Sequence, residues 1–258
     1  MLLTVAPPLA WGYQATGGFA QSAPWGHNRM MPIDPFREEE VESRWEAAPA
    51  IGLVIVGQVV VAAASRAGDW TLAGLSWWVW LVPIVPELAL LIPLALSRRR
   101  MHVIQEGERR SIALELLAIV GLTNAALLVA LLASLARGDE KSAGELLLKG
   151  GTVWATNVIA FGLWYWALDR GGPARRLLPD PPPPDLQFPQ MENPTLAAPG
   201  WHPRLADYIY VSFTNSIAFS PTDVMPLSRR VKLLMMFESA VSAMTVLLVA
   251  ARAVNIFK

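Results

Sequence analysis

Three Thr-Asn pairs occur in this chain, at Thr123-Asn124, Thr156-Asn157 and Thr214-Asn215, each inside an apolar run. That is more than a shuffled chain of this composition would give, although the residues around them do not form a repeat. A carboxyl group, Glu87, lies near the middle of a further apolar run, flanked by Pro83, Pro86 and Pro93. Asn and Thr both donate and accept hydrogen bonds, and a carboxyl accepts when ionised and donates when protonated. Set at one level in a helix bundle, such groups can close a hydrogen-bonded ring around a cation or a proton. They can also act as interhelical glue, worth about 0.6 kcal/mol per bond in a membrane. An ionisable group at mid-membrane is a functional candidate by default. The neighbouring prolines leave backbone carbonyls without donors, and these could coordinate an ion. The expected polar site is therefore Glu87, Asn124, Asn157, Thr214 and Asn215, with Glu238 lining the approach. Glu238, Ser242, Thr245 and Arg252 share one helical face, which either lines a conduit or faces the bundle interior. Arg252 reads as a snorkelling anchor near a helix end.

These residues need apolar helices to hold them. The chain is 53% hydrophobic and only 16% charged, below the roughly one quarter of soluble domains, and its apolar residues are clustered. A spanning helix needs about 20 apolar residues. Residues 47–65, 75–96, 112–136, 150–168 and 231–256 meet that length. Residues 205–224 also have the length, but carry many hydroxyls, two Asp and a Pro. The expectation is an all-α polytopic transmembrane bundle with six spans, five plus a re-entrant segment being the alternative.

Arg and Lys in short loops set orientation. Arg98, Arg99, Arg100, Arg109 and Arg110 mark one loop as cytoplasmic, and Arg170, Arg175, Arg176 and Arg204 put the segment after the fourth span on the same side. Six spans then leave both termini in the cytoplasm of a bacterium, with the protein in its inner membrane. Trp77, Trp78 and Trp80 belong to the outer aromatic belt, and Trp164, Tyr165 and Trp166 to the inner one. The start "MLLTVAPPLAWGYQ" lacks a basic region and a long apolar run, against a cleaved signal peptide.

Four regions follow. Residues 1–46 form a cytoplasmic arm, in which Asp34-Pro35 could start a short helix over "FREEEVESRWE"; it reads as a solvated charged arm or as a surface-lying helix. Residues 47–168 form a four-helix transmembrane region. Residues 169–204 form a linker whose "DPPPPD" favours an extended polyproline II spacer, with a role as a ligand for proline-binding domains as the alternative. Residues 205–258 form a helix pair.

Other chemistries find little support. There is no Cys, hence no thiolate metal site or thiol nucleophile. His27, His102 and His202 are dispersed, with no metal-ligand spacing. No nucleophile elbow or phosphate-binding loop occurs. Net charge is zero, so nothing points to nucleic acid. The expectation is a non-enzyme without metal or cofactor, whose partners are the lipid bilayer and either further copies of itself or another protein.

The stretch "YIYVSFTNSIAFSPTDVMPLSRRVKLLMMFESAVSAMTVLLVAARAVN" resembles the pore segment and inner helix of potassium-channel-type proteins. It also looks like a family of uncharacterised bacterial membrane proteins with a similar "AFSPTD" ending. The likeness covers about a fifth of the chain. It implies a channel-like function and a degenerate filter: Ser216, Ile217, Ala218, Phe219 and Ser220 stand where the channels have Thr-Val-Gly-Tyr-Gly, and Asp223 stands for the Asp that follows. Both glycines are missing and Pro221-Thr222 intervenes, so an ordinary carbonyl-lined filter is not expected. A pore segment also dips in from outside, whereas the charge count has the fourth span running inward; a full crossing by 205–224 removes that conflict. The functional expectation is a channel-like or transport protein with a midplane site for a cation or proton. The alternative is a non-transporting scaffold that binds a partner through its Pro-rich loop and N-terminal arm.

Overall fold

A computed structural model describes residues 47–96, 106–140, 142–176, 180–220 and 223–256. The N-terminal arm with its expected helix and His27, the Arg98–Arg100 triplet, His102 and the Pro221-Thr222 break lie outside them.

The described chain is mostly helical. Four helices contain stretches long and apolar enough to cross a membrane: α1 (Ala47–Ala67), α3 (Glu106–Arg137), α4 (Ala143–Leu168) and α8 (Arg229–Ile256). The expected second span is broken. A 3-10 turn over Trp77–Leu81 leads into α2 (Ile84–Leu96), because Pro83 and Pro86 lack the N–H that continuous helix needs. Glu87 therefore sits in the first turn of α2. α4 starts seven residues before the predicted Gly150, with Ser142 capping the Glu145 N–H at 3.2 Å. Lys149, just outside the expected span 150–168, lies inside this helix. It is fully buried, with Nζ 2.6 Å from Glu145 Oε1 and 2.7 Å from the Thr71 carbonyl oxygen.

Beyond α4 come the one-turn helix α5 (Pro173–Arg176), strand β1 (Leu186–Gln187), one-turn helix α6 (Pro189–Glu192), α7 (Leu205–Ala218), strand β2 (Met225–Pro226) and α8. α7 runs antiparallel to α4: the Ile209 backbone approaches Gly162, and the Ser212 hydroxyl donates to the Val158 carbonyl at 2.7 Å. α8 also runs antiparallel to α4. It starts where Arg230 reaches the Leu168 carbonyl at 3.1 Å, and passes Gly150 at Val249.

The segment 205–224, expected to cross fully, holds a short helix that ends at Ala218. Fourteen residues give α7 a length of about 21 Å, short of a hydrocarbon core of about 30 Å. Phe219 then turns left-handed (φ 54°) and the chain comes back. β2 pairs antiparallel with β1, and Leu227 N–H donates to the Asp185 carbonyl at 2.8 Å, at the end of α4 where α7 began. Asp223 beside the Tyr210 hydroxyl (3.5 Å) marks the return along α7. Arg252, expected near the cytoplasmic end, instead caps the α3–α4 turn, donating to the Gly138 and Glu140 carbonyls at 2.8 and 2.7 Å. It lies at the opposite end of α4 from Arg170 and Arg176.

The clip holding the return is ionic. Asp185, 4% exposed, accepts from Arg230 Nε and Nη2 at 2.9 and 2.5 Å and from Arg170 N–H at 3.0 Å. Burial pushes its carboxyl up, but hydrogen bonds from Arg230 and Ser228, the Arg230 charge and the Arg170 N–H outweigh this and hold it below the usual value. Stability from this group is present above the unfolded carboxylate value of about 3.9 and is lost as pH falls through the lower folded value. Acidification in detergent is expected to expose 180–228 to protease, and Asp185→Asn to remove that acid step. Equal acid sensitivity in both proteins would refute the clip.

Close α4–α7 packing depends on Gly162, where an added Cβ would stand 2.9 Å from Ile209 Cα. Gly162→Ala is expected to destabilise by about 1–3 kcal/mol, whereas Gly52→Ala, with open space around it, is neutral or stabilising by up to about 1 kcal/mol. Thermal unfolding of the two variants in detergent makes the comparison.

Candidate functional site

α4 supplies the hub. Its Tyr165 side chain, assigned above to the inner aromatic belt, is fully buried and donates to Glu238 Oε2 at 2.6 Å. Asn215 Nδ2 on α7 lies 2.6 Å from the same oxygen and 3.1 Å from the Met235 carbonyl. The Ser212 hydroxyl lies in close hydrogen-bond contact with Glu238 Oε1. Ser239 donates back to Asn215 Oδ1 at 3.0 Å. A fully buried carboxyl thus joins α4, α7 and α8 through two hydroxyls and an amide. Ser242 and Thr245, on the same α8 face, are buried too, so this face turns to the bundle interior.

Glu87 belongs to a second cluster. Its Oε1 accepts from Gln58 Nε2 of α1 at 2.7 Å, and Oε2 has no protein partner. It lines a cavity of about 10 Å³ with Thr156, Val120 and Leu163, at the lower limit for one water. The third cluster is an amide pair, Asn124 Nδ2 to Asn157 Oδ1 at 3.1 Å, between α3 and α4. Asn124 Oδ1 and Asn157 Nδ2 have no further partner.

The six predicted site residues therefore do not form one ring. Asn215 and Glu238 meet, Asn124 and Asn157 meet, and Glu87 pairs with Gln58 instead. No hydrogen bond joins these groups among the described residues. Thr214 turns to its own helix and donates to the Val211 carbonyl at 3.0 Å; Thr123 does the same toward Ile119 and Val120. A hydroxyl satisfied within its own helix is unavailable to a ring.

The filter-like alignment also changes. Ser216, Ile217 and Ala218 belong to helix α7, and Ser216 donates to the Phe213 carbonyl at 2.8 Å. Their carbonyls run along the helix axis and cannot form a coordinating column. Phe219, Ser220 and Asp223 lie on the exposed return.

Sequence reasoning missed Gln58, Tyr165, Ser212 and Ser239. Gln58 carried a signal, as a lone amide in "VIVGQVVV". Tyr165 carried a misleading one, since Trp-Tyr-Trp at a helix end reads as interfacial. Among the described residues no group of three His, Cys, Asp or Glu could hold a metal ion.

The architecture and site define a helical membrane protein with buried carboxyl groups inside its bundle. No family model matches the chain, and no match is found among curated proteins or solved structures.

Glu238→Ala would leave the buried Tyr165 hydroxyl without its partner, at about 1–3 kcal/mol, and would take an acceptor from Asn215 and a partner from Ser212, which keep the Met235 and Val158 carbonyls. Asn124→Leu removes one interhelical amide bond, worth about 0.6 kcal/mol. Unfolding in mixed micelles is expected to show a several-fold larger loss for Glu238→Ala, with α7 becoming accessible to thiol reagents at an introduced Val211→Cys, a position buried in the native packing. Comparable losses would mean that Glu238 does not anchor α7.

Proposed function

We propose that this is a channel-like membrane transport protein for a proton or small cation, with five crossings and α7 as a re-entrant half-helix. The crossings are α1, the Trp77–Leu96 stretch, α3, α4 and α8. The positive-inside rule puts the 169–204 segment in the cytoplasm, and the membrane is the bacterial inner membrane. The likeness of 205–255 to channel pore segments then lies in a half-helix, a return and a spanning helix, without a carbonyl filter.

The observation that carries this reading is the return itself. Irregular backbone at membrane depth is tolerated only against protein or beside water, and half-helices with such backbone mark transport pathways. Here Ile217, Ala218, Phe219, Ser220 and Asp223 are exposed in a single copy. The passage is therefore completed by another copy around α7. Glu87, with one unpartnered oxygen beside a one-water cavity, is the ionisable group proposed to exchange protons.

A second reading, a non-transporting scaffold, is favoured by the tight interior, whose polar clusters mostly satisfy one another. Flux from proteoliposomes separates the two. Transport predicts cation- or proton-driven flux, reduced tenfold or more by Glu87→Gln, and cross-linking between copies through Ile217→Cys, clean in a chain without Cys. Sealed vesicles without flux would overturn transport in favour of the scaffold.

A further inference from the structure

The segment between α4 and α7 holds a cavity far larger than the one beside Glu87. It measures about 520 Å³ and is walled by the prolines of 194–203, Met191 and Trp201, within the size range of small-molecule sites. Two guanidinium groups and an imidazole, Arg170, Arg176 and His202, line it, and its lining includes no Asp or Glu. Arg176 is held rigidly, with Nη1 2.7 Å from the Trp166 carbonyl and the guanidinium 5.0 Å over the Tyr208 ring.

Arg170 differs. Its backbone is left-handed (φ 51°, ψ 19°), a conformation that non-glycine residues rarely adopt. The Asp185 carboxylate fixes its N–H in that conformation. Among the described residues the guanidinium finds only the Met191 thioether, with Nη2 4.0 Å from Sδ. Backbone strain that leaves a cation without a carboxylate partner is the pattern of a binding residue. Beside it, Gln190 Oε1 and His202 Nε2 are shielded from water and have no hydrogen-bond partner. His202 Nδ1 lies 3.2 Å from the Gly200 carbonyl, which leaves Nε2 for something else.

We propose that this cavity binds a phosphate-bearing anion with the guanidinium groups of Arg170 and Arg176, while Gln190 and His202 take its hydroxyl groups. Paired guanidinium forks match phosphate oxygens, and the Pro and Trp walls suit the apolar or polyol remainder. The ligand is either the headgroup of an anionic phospholipid or a soluble phosphate ester. This site is independent of the transport reading.

The test is ligand-dependent stabilisation of the full chain in a neutral detergent. The probes are inorganic phosphate, glycerol phosphate, and micelles doped with phosphatidylglycerol or phosphatidylcholine. A rise in Tm with phosphatidylglycerol alone assigns a lipid headgroup, and a rise with glycerol phosphate or phosphate assigns a soluble ligand. Arg170→Gly removes the guanidinium while suiting the left-handed backbone, so its baseline Tm is expected to hold. It should raise the half-saturating concentration at least tenfold, and His202→Ala should weaken binding as well. No shift with any phosphate probe, equal shifts with both lipids, or a shift unchanged in both variants would overturn the proposal.

Discussion

The C-terminal part of this fold depends on one constraint: a helix that stops inside the bundle must have its polar groups, and those of the chain leaving it, satisfied there. Glu238 meets the first half of that demand. Its two oxygens gather hydroxyls from α4 and α7 and an amide from α7, and Ser239 completes the amide from α8. Removing the carboxyl would leave the buried Tyr165 hydroxyl with nothing to replace it, while Ser212 and Asn215 would keep only the Val158 and Met235 carbonyls. Hydrogen-bonded clusters of this kind fix one arrangement of helices more sharply than apolar packing, which tolerates sliding.

The second half is met outside the bundle. Asp169 accepts from the Tyr208 hydroxyl at 2.7 Å and from the Asp185 and Leu186 N–H groups at 2.8 and 3.3 Å. Asp185 in turn holds Arg230 at the start of α8. Two adjacent carboxyl groups therefore tie the end of α4, the beginning of α7, the β1–β2 pair and the beginning of α8 into one clip. This geometry makes α7 turn back. With both ends of 205–228 held at one level, a 14-residue helix can only enter and return.

Hydropathy made α1, α3, α4 and α8 legible, since each is a long apolar run. It misread 205–224 because length was the criterion, and the deciding facts are the non-local pairing of Leu186–Gln187 with Met225–Pro226 and the Asp185–Arg230 bridge. Window hydropathy contains no information on pairing between residues some 40 apart in sequence. The expected start at residue 150 left out the first seven residues of α4, among them Lys149, whose ammonium is buried because a carboxylate one turn earlier and a carbonyl receive it. The polar residues were found individually. Their grouping was not, because Thr-Asn doublets put neighbouring side chains about 100° apart on a helix. In each described doublet Asn faces inward to a partner, while Thr123 and Thr214 bond their own helices. The doublets mark depth and leave the partner open.

The depth of the return bears on what the complete unit is. On α8, the exposed Leu233, Met236, Phe237 and Leu247 are suited to lipid as they stand. On α7, Tyr210, Phe213 and Ile217 continue that apolar surface, but it ends at Phe219, Ser220 and Asp223. There a hydroxyl, a carboxylate and backbone that has left the helix replace it. Hydrocarbon offers such groups nothing. The bundle interior cannot offer more, since Tyr165, Ser212, Asn215 and Glu238 already use one another. The Tyr210 hydroxyl meets Asp223 and the Ala218 carbonyl meets Ser220, each at 3.5 Å, so under the proposed topology the return carries part of its own hydrogen bonding, and water or a second copy meets the rest of that exposed surface.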